Sequence, residues 1–234
     1  EVTVFSRNVG SFIPLSSTIR TQVMTGTELL KAACCNLSES FETNPSVDVS
    51  FNDAVTGSKQ IQLLGLSGIY TQLTVENLPG PRGLGTILGL NSIAGPWIES
   101  IQLTKGVGSV ANGYESIAGQ INVELKKPET AEKLLANIYV NDFGKTDLNL
   151  NLSHKLNSKW ATSLLLHDDF LNNNNIDFNK DEFRDLPTGN QLSLVNRFNY
   201  NNGNGFLSQF GYKILNDQKI GGQTTFDPSS HKGT

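Results

Sequence analysis

Thr146-Asp147-Leu148-Asn149-Leu150-Asn151-Leu152-Ser153 alternates apolar and polar residues without a break, and this period of two decides the fold of the second half of the chain. Successive side chains of a strand point to opposite faces, so every Leu lies on one side and every Asp, Asn or Ser on the other. The same division sets Leu192, Leu194, Phe198 and Tyr200 against Gln191, Ser193, Arg197 and Asn199. Further strands are expected over roughly 133–142, 159–170 and 205–215. The connections alternate in length: Phe143-Gly144-Lys145, then Asn157-Ser158, then the long 171–188, then Asn201 to Gly205. Five antiparallel strands in a meander are the plain reading. An up-and-down membrane barrel is the sharper one, because Leu and aromatic residues take one face and Asn, Ser and Gln the other.

The pattern changes at Lys126-Lys127-Pro128. Upstream, short apolar runs such as Ile61 to Gly65, Gln72 to Val75, Ile98 to Leu103 and Gln120 to Leu125 are punctuated by Gly and Pro, which predicts a compact α+β domain. Composition narrows the class further. Only 17 % of the 234 residues are charged and 37 % are hydrophobic, with a net charge of −4, so nothing provides an electrostatic footprint for nucleic acid. No apolar run reaches the roughly 18 to 20 residues of a membrane helix, which excludes helical spans but not a barrel. The chain opens at Glu1 without a leader sequence, as expected of a mature or trimmed end. Cys34 and Cys35 are adjacent and cannot staple a loop. A soft-metal thiol pair or a vicinal disulfide is open to them, but Thr27-Glu28 starts a helix whose apolar face suits small buried cysteines.

Ile98-Glu99-Ser100-Ile101-Gln102-Leu103-Thr104-Lys105-Gly106, then Gly113, then Ile117-Ala118-Gly119-Gln120-Ile121-Asn122-Val123 resembles the end of the plug domain of TonB-dependent outer-membrane receptors. Glu99, Lys105, Gly106, Gly113, Gly119 and Asn122 carry the motif. Upstream, Ile61-Gln62-Leu63-Leu64-Gly65 is similar to that family's I-x-I-R-G strand, and Val75-Glu76-Asn77-Leu78-Pro79 to its D-G-V-P turn. Leu64, Glu76-Asn77 and Ser100 depart from the pattern and bear on the family's plug-to-barrel ion pairs. Glu1-Val2-Thr3-Val4-Phe5 resembles a TonB box. The resemblance implies a TonB-box-like segment at 1–8, a plug domain at 9–128, and the first five or so strands of a larger outer-membrane β-barrel at 129–234. The fold class the resemblance implies is an α+β plug followed by antiparallel strands of an incomplete up-and-down transmembrane β-barrel. Family barrels have about 22 strands, so the chain is expected to be a fragment.

The resemblance also implies a function: energised transport of a scarce nutrient, such as a siderophore-type metal chelate, at the bacterial outer membrane. Val2, Thr3, Val4 and Phe5 would pair with a periplasmic TonB-type protein. Lipid and other outer-membrane proteins complete the expected partners. Pro81, Arg82 and Gly83 would form an apical plug loop touching the ligand, Arg82 facing an anionic chelate; a solvated surface Arg is the alternative. No catalytic residue is expected, since no acid, base or nucleophile accompanies this loop and His154, His167 and His231 share no ligand spacing. Asp177, Asn179, Asp181, Phe183 (by its carbonyl) and Asp185 place oxygens at every second position, as a calcium loop does, although Glu182 replaces the turn glycine and Thr188 the closing Glu. The plain alternative is a polar external loop. Two other functions stay open: a plugged barrel serving a structural or secretion complex without transport, and a secreted β-rich binding module. About 17 further alternating strands downstream would decide for the barrel.

Overall fold

The computed structural model describes residues 10–14, 21–29, 36–41, 44–51, 55, 57–82, 85–108, 110–227 and 230. Along them run β1 (Ser11–Phe12), β2 (Thr21–Thr25), α1 (Gly26–Leu29), β3 (Val47–Phe51), β4 (Lys59–Leu63), β5 (Leu66–Ser67), β6 (Thr71–Val75), β7 (Leu78–Pro79), α2 (Gly85–Asn91), β8 (Ile98–Lys105) and β9 (Gly119–Leu125). These are followed by β10 (Leu134–Val140), β11 (Thr146–Lys155), β12 (Trp160–Leu171), β13 (Thr188–Asn201) and β14 (Leu207–Ile220). The chain divides into two compact units, residues 1–50 with 59–127, and residues 51–58 with 128–234. The segment 51–58 groups with the second unit because Val55 lies against Gly221 and Gly57 against Pro187.

In the first unit a six-stranded sheet runs in the order β1-β2-β8-β9-β6-β7. Neighbours are antiparallel except β6 and β9, which run parallel with Thr74 beside Asn122. Alternation along β8 and β9 sends Ile101, Leu103, Ile121 and Val123 to one face, where all four are fully buried. Leu37, Phe41, Ile61, Leu63, Leu90 and Trp97 complete this core. Each such side chain contributes about 1.5–3 kcal/mol of burial. The opposite face carries Gln102, Thr104, Gln120, Asn122, Gln72 and Thr74, and it is on this polar side that the candidate site is built.

Two hairpins use two-residue turns. Leu64-Gly65 joins β4 to β5 with φ of 55° and 77°, and Glu76-Asn77 joins β6 to β7 with φ of 52° and 62°. Positive φ at both central residues matches the right-handed twist of the flanking strands. The run read from sequence as a strand to Gly65 therefore ends at Leu63, and Leu64-Gly65 turns the chain.

The second unit is a meander in the order β10-β11-β12-β13-β14, antiparallel throughout. β14 extends to Ile220, beyond the expected end, because the β13 register carries it through Asn216-Asp217-Gln218-Lys219, which has no apolar alternation to advertise it. Its short connections are made by asparagine. Asn157 Oδ1 accepts from the amides of Lys159 and Trp160 (both 2.9 Å), and Asn202 Oδ1 from those of Asn204 and Phe206 (2.8 and 3.0 Å). Exposure is inverted relative to a water-soluble sheet. Ile138 is 70 % and Ile214 58 % exposed, while Asp147 and Ser193 are 0 % and Arg197 3 % exposed.

Candidate functional site

Asn122, at the middle of β9, is the hub of the first unit's polar face. Its Oδ1 accepts from Thr74 Oγ1 and from the Asn77 amide, both at 2.8 Å. Its Nδ2 donates to Glu124 Oε1 at 2.9 Å and Gln102 Oε1 at 3.4 Å. One amide thus joins three strands and pins the positive-φ turn. Lys127 closes the same corner, its Nζ donating to Glu76 Oε1 at 2.6 Å and Glu124 Oε2 at 2.9 Å. Burial alone would pull the Lys127 pKa down; the hydrogen bonds and charges of Glu76 and Glu124 outweigh it and hold the pKa above the ordinary lysine value. The network continues through Gln120 Nε2 to Thr74 Oγ1 (3.4 Å) and Asn112 Nδ2 to Gln120 Oε1 (3.3 Å), with Thr21 and Thr104 paired at 2.9 Å.

The other motif residues serve the backbone. Gly119 sits where a Cβ would collide with Leu63 and the Thr104 carbonyl, so only glycine allows β9 to begin against β8. Gly113 has φ of 134° beside Gln72 and Glu115. The Gly106 amide donates to the Ala118 carbonyl at 2.8 Å. Glu99 and Lys105 are exposed. In the expected apical loop Pro81 is exposed and Arg82 is ion-paired, its Nε 3.3 Å from Glu115 Oε1. An anionic ligand reaching Arg82 competes with that carboxylate. Gly83, Cys34, Cys35 and Val2 to Phe5 lie outside the described residues.

In the second unit the loop 172–187 is organised by its own oxygens. Asp177 Oδ1 accepts from the amides of Lys180 (2.6 Å) and Asp181 (3.2 Å), and its Oδ2 from that of Glu182 (2.9 Å). Asp181 Oδ1 accepts from the Phe183 amide at 2.9 Å and Asp185 Oδ2 from the Phe178 amide at 2.6 Å, while Asn179 Nδ2 donates to Asp181 Oδ2 at 3.0 Å. The backbone bends at Lys180 and Glu182, with φ of 61° and 69°. These oxygens cap successive amides, and among the described residues no three His, Cys, Asp or Glu side chains form a group able to hold a metal. Arg184, 3 % exposed, donates to the carbonyls of Gln223, Thr224 and Phe226 and to Asn174 Oδ1, clamping this loop to the segment after β14. Phe143 stacks edge-on against Phe178 with centroids 5.6 Å apart, and Asn173 Nδ2 donates to the Phe143 carbonyl at 3.1 Å, so three connections at one end of the sheet are tied together.

Strand register also assembles a group that sequence spacing did not reveal. Asp147 and Asp169 face each other across β11 and β12, with Lys145 Nζ 3.9 and 3.5 Å from them. His167 Nε2 lies 3.9 Å from Asp147 Oδ1, and its Nδ1 is 2.9 Å from Asn149 Oδ1. The signal was present as symmetry, since Asp147 and Asp169 each stand 11 residues from Ser158 in the connecting turn. Like charges opposite one another destabilise a ladder unless a cation bridges them, and Lys145 does so here.

Residues 14–120, a little under half of the chain, match the family described as TonB-dependent Receptor Plug Domain. Solved structures similar to most of the chain include the siderophore receptor PiuA from Acinetobacter baumannii, at 13 % identity and a TM-score of 0.63, covering 86 % of this chain and 27 % of that one. The copper transporter OprC is similar at 14 % identity and 0.67, covering 90 % and 33 %. The pyoverdine outer membrane receptor FpvA from Pseudomonas aeruginosa PAO1, bound to pyoverdine, is similar at 13 % identity and 0.65, covering 86 % and 28 %. At these identities the likeness is one of fold: an α+β plug followed by antiparallel strands of an incomplete up-and-down barrel. The chain spans about a third or less of the length of these receptors. No curated protein sequence matches it.

Proposed function

We propose that the chain is part of a TonB-dependent receptor of the bacterial outer membrane that takes up a scarce nutrient of the metal-chelate, siderophore-type class. The inverted exposure of the second unit carries this reading, because apolar rows outside and polar rows inside suit a wall between lipid and a polar lumen. The path of the apolar face supports it quantitatively. Val140 is the last outward apolar residue of β10; its row runs through Thr146, Phe170 and Asn190 to Gln218 on β14, where the outward series turns apolar only at Ile214, four residues away. Between these two end strands four residues are about 14 Å along a strand and four strand steps about 19 Å across, an average slope of about 35° with the exposed Phe170 lying beyond that line, in the range of strand tilt in membrane barrels.

In this reading the plug blocks passive flow, Pro81, Arg82 and Gly83 face the arriving ligand, and Val2 to Phe5 pair by strand addition with a periplasmic TonB-type protein. The ligand is moved and not chemically altered. Val4→Pro in the full-length receptor removes a backbone donor from the pairing segment. The expected result is loss of energised uptake with ligand binding at the cell surface retained. Uptake that survives the substitution overturns the coupling assigned to this segment.

A further inference from the structure

A cleft of about 150 Å³ opens on the polar face of the first unit. Gln102, Thr104, Gln120 and Asn122 enter it from β8 and β9, Asn77 from the β6–β7 turn, and Gly108 and Asn112 from the segment between β8 and β9. Every side chain that lines it is uncharged and polar. The amides are only partly engaged with one another: Gln102 uses its Oε1 toward Asn122, and Asn112 its Nδ2 toward Gln120. Gln102 Nε2 and Asn112 Oδ1 take no part in these bonds. Beside the cleft, Gln72 is the register partner of Gln120 and is 4 % exposed. Its Nε2 donates to the Asn112 carbonyl, and its Oε1 is buried with no hydrogen-bond partner.

We infer that this cleft binds a small, neutral, polyhydroxylated ligand. Side-chain amides offer donor and acceptor on one planar group, and hydroxyls do the same on one atom, so the two sets pair in either direction. A charged ligand would lose hydration with no counter-charge among the lining residues, and an apolar one would bury amides without partners. At about 30 Å³ per water the volume equals about five waters, the scale of glycerol or one sugar ring. The site belongs to the plug unit alone, so it stands or falls independently of what the barrel transports.

The test uses full-length receptor in a detergent without a sugar headgroup. Equilibrium dialysis with labelled glucose and labelled glycerol reads binding directly, alongside gluconate and glucosamine as charged analogues. At least one neutral probe should saturate with a Kd of about 1–10 mM. Gln102→Leu and Asn112→Leu should each weaken it about tenfold or more, and neither charged analogue should saturate in that range. Gln102→Glu, close to isosteric, replaces Gln102→Leu if the latter fails to fold. The inference is overturned if neither neutral probe saturates by about 100 mM, if the variants bind as well as the parent, or if the charged analogues bind equally.

Discussion

Asn122 is a short side chain that holds three strands and a turn, and its replacement should be felt at each of them. Asn122→Leu removes the acceptor shared by Thr74 Oγ1 and the Asn77 amide and leaves Glu76-Asn77 unsupported at positive φ. A loss of about 2–4 kcal/mol is expected, from buried donors left unpaired, and a denaturant titration of the detergent-solubilised receptor measures it. Lys127 makes a pH-dependent contribution of known sign. Because its folded pKa lies above the ordinary 10.5, the stabilisation is complete below that value and is lost as pH rises through the folded pKa. The side chain is 35 % exposed, so the effect is under about 1 kcal/mol. Lys127→Met should therefore differ from the parent by a constant amount below about pH 10 and converge on it above.

At the scale of elements, the residues that were legible in the sequence are those whose signal is local. The Leu and Asn alternation of β11 needs eight consecutive residues to be read, and the glycines around Gly119 mark close approach by their spacing alone. What escaped is what register or long range supplies. Arg184 meets Gln223 and Phe226 some forty residues on, and Asp147 meets Asp169 only once the hairpin is folded. The loop at 177–185 is ambiguous for another reason. Oxygens at every second residue serve equally to wrap a cation or to cap successive amides, and the sequence is the same in both cases. Two outcomes are expected there. Calorimetry with millimolar calcium on the parent and Asp181→Ala separates the two readings: a saturable heat abolished in the variant is expected if the loop wraps a cation, and equal heats if its carboxylates only hold amides. Arg184→Ala should expose 172–187 to protease at least about tenfold faster while the strands keep their melting transition, because three carbonyls lose one buried donor group.

For the whole molecule, the proposed outer-membrane reading ties orientation to connection length. The Asn157-Ser158 turn and the 202–206 turn lie at one end of the meander, and 172–187 with the clamped segment after β14 at the other. Outer-membrane barrels keep short turns on the periplasmic side. Cysteine placed at Asn174 of the full-length receptor should react with an impermeant reagent on whole cells, and cysteine at Asn157 only after the envelope is opened; the reverse pattern refutes the orientation. Trp160, Tyr200, Phe206 and Phe210, clustered with centroids 4.8 to 6.2 Å apart at the short-turn end, mark the inner interface in that arrangement.

The strand order β1-β2-β8-β9-β6-β7 sets a mechanical hierarchy in the plug. Among the described residues one edge strand of the sheet is the first along the chain and its inner neighbour is the second, so a load entering from the amino-terminal side meets β1, then β2, before any other described strand. Both run antiparallel to the partner they leave, and Ser11 and Thr21, the leading residues, are each paired at their own end of the ladder. A load directed across the strands would then break hydrogen bonds one pair after another, as in opening a zipper, instead of all at once as in shearing a lap joint. The centre, where β8, β9 and β6 are crosslinked by Asn122, stays out of the line of force until the edge has gone. In the reading proposed above, the plug is thus graded from a frangible margin to a tough middle, and small tension across the strands would release the β1–β2 side before the centre.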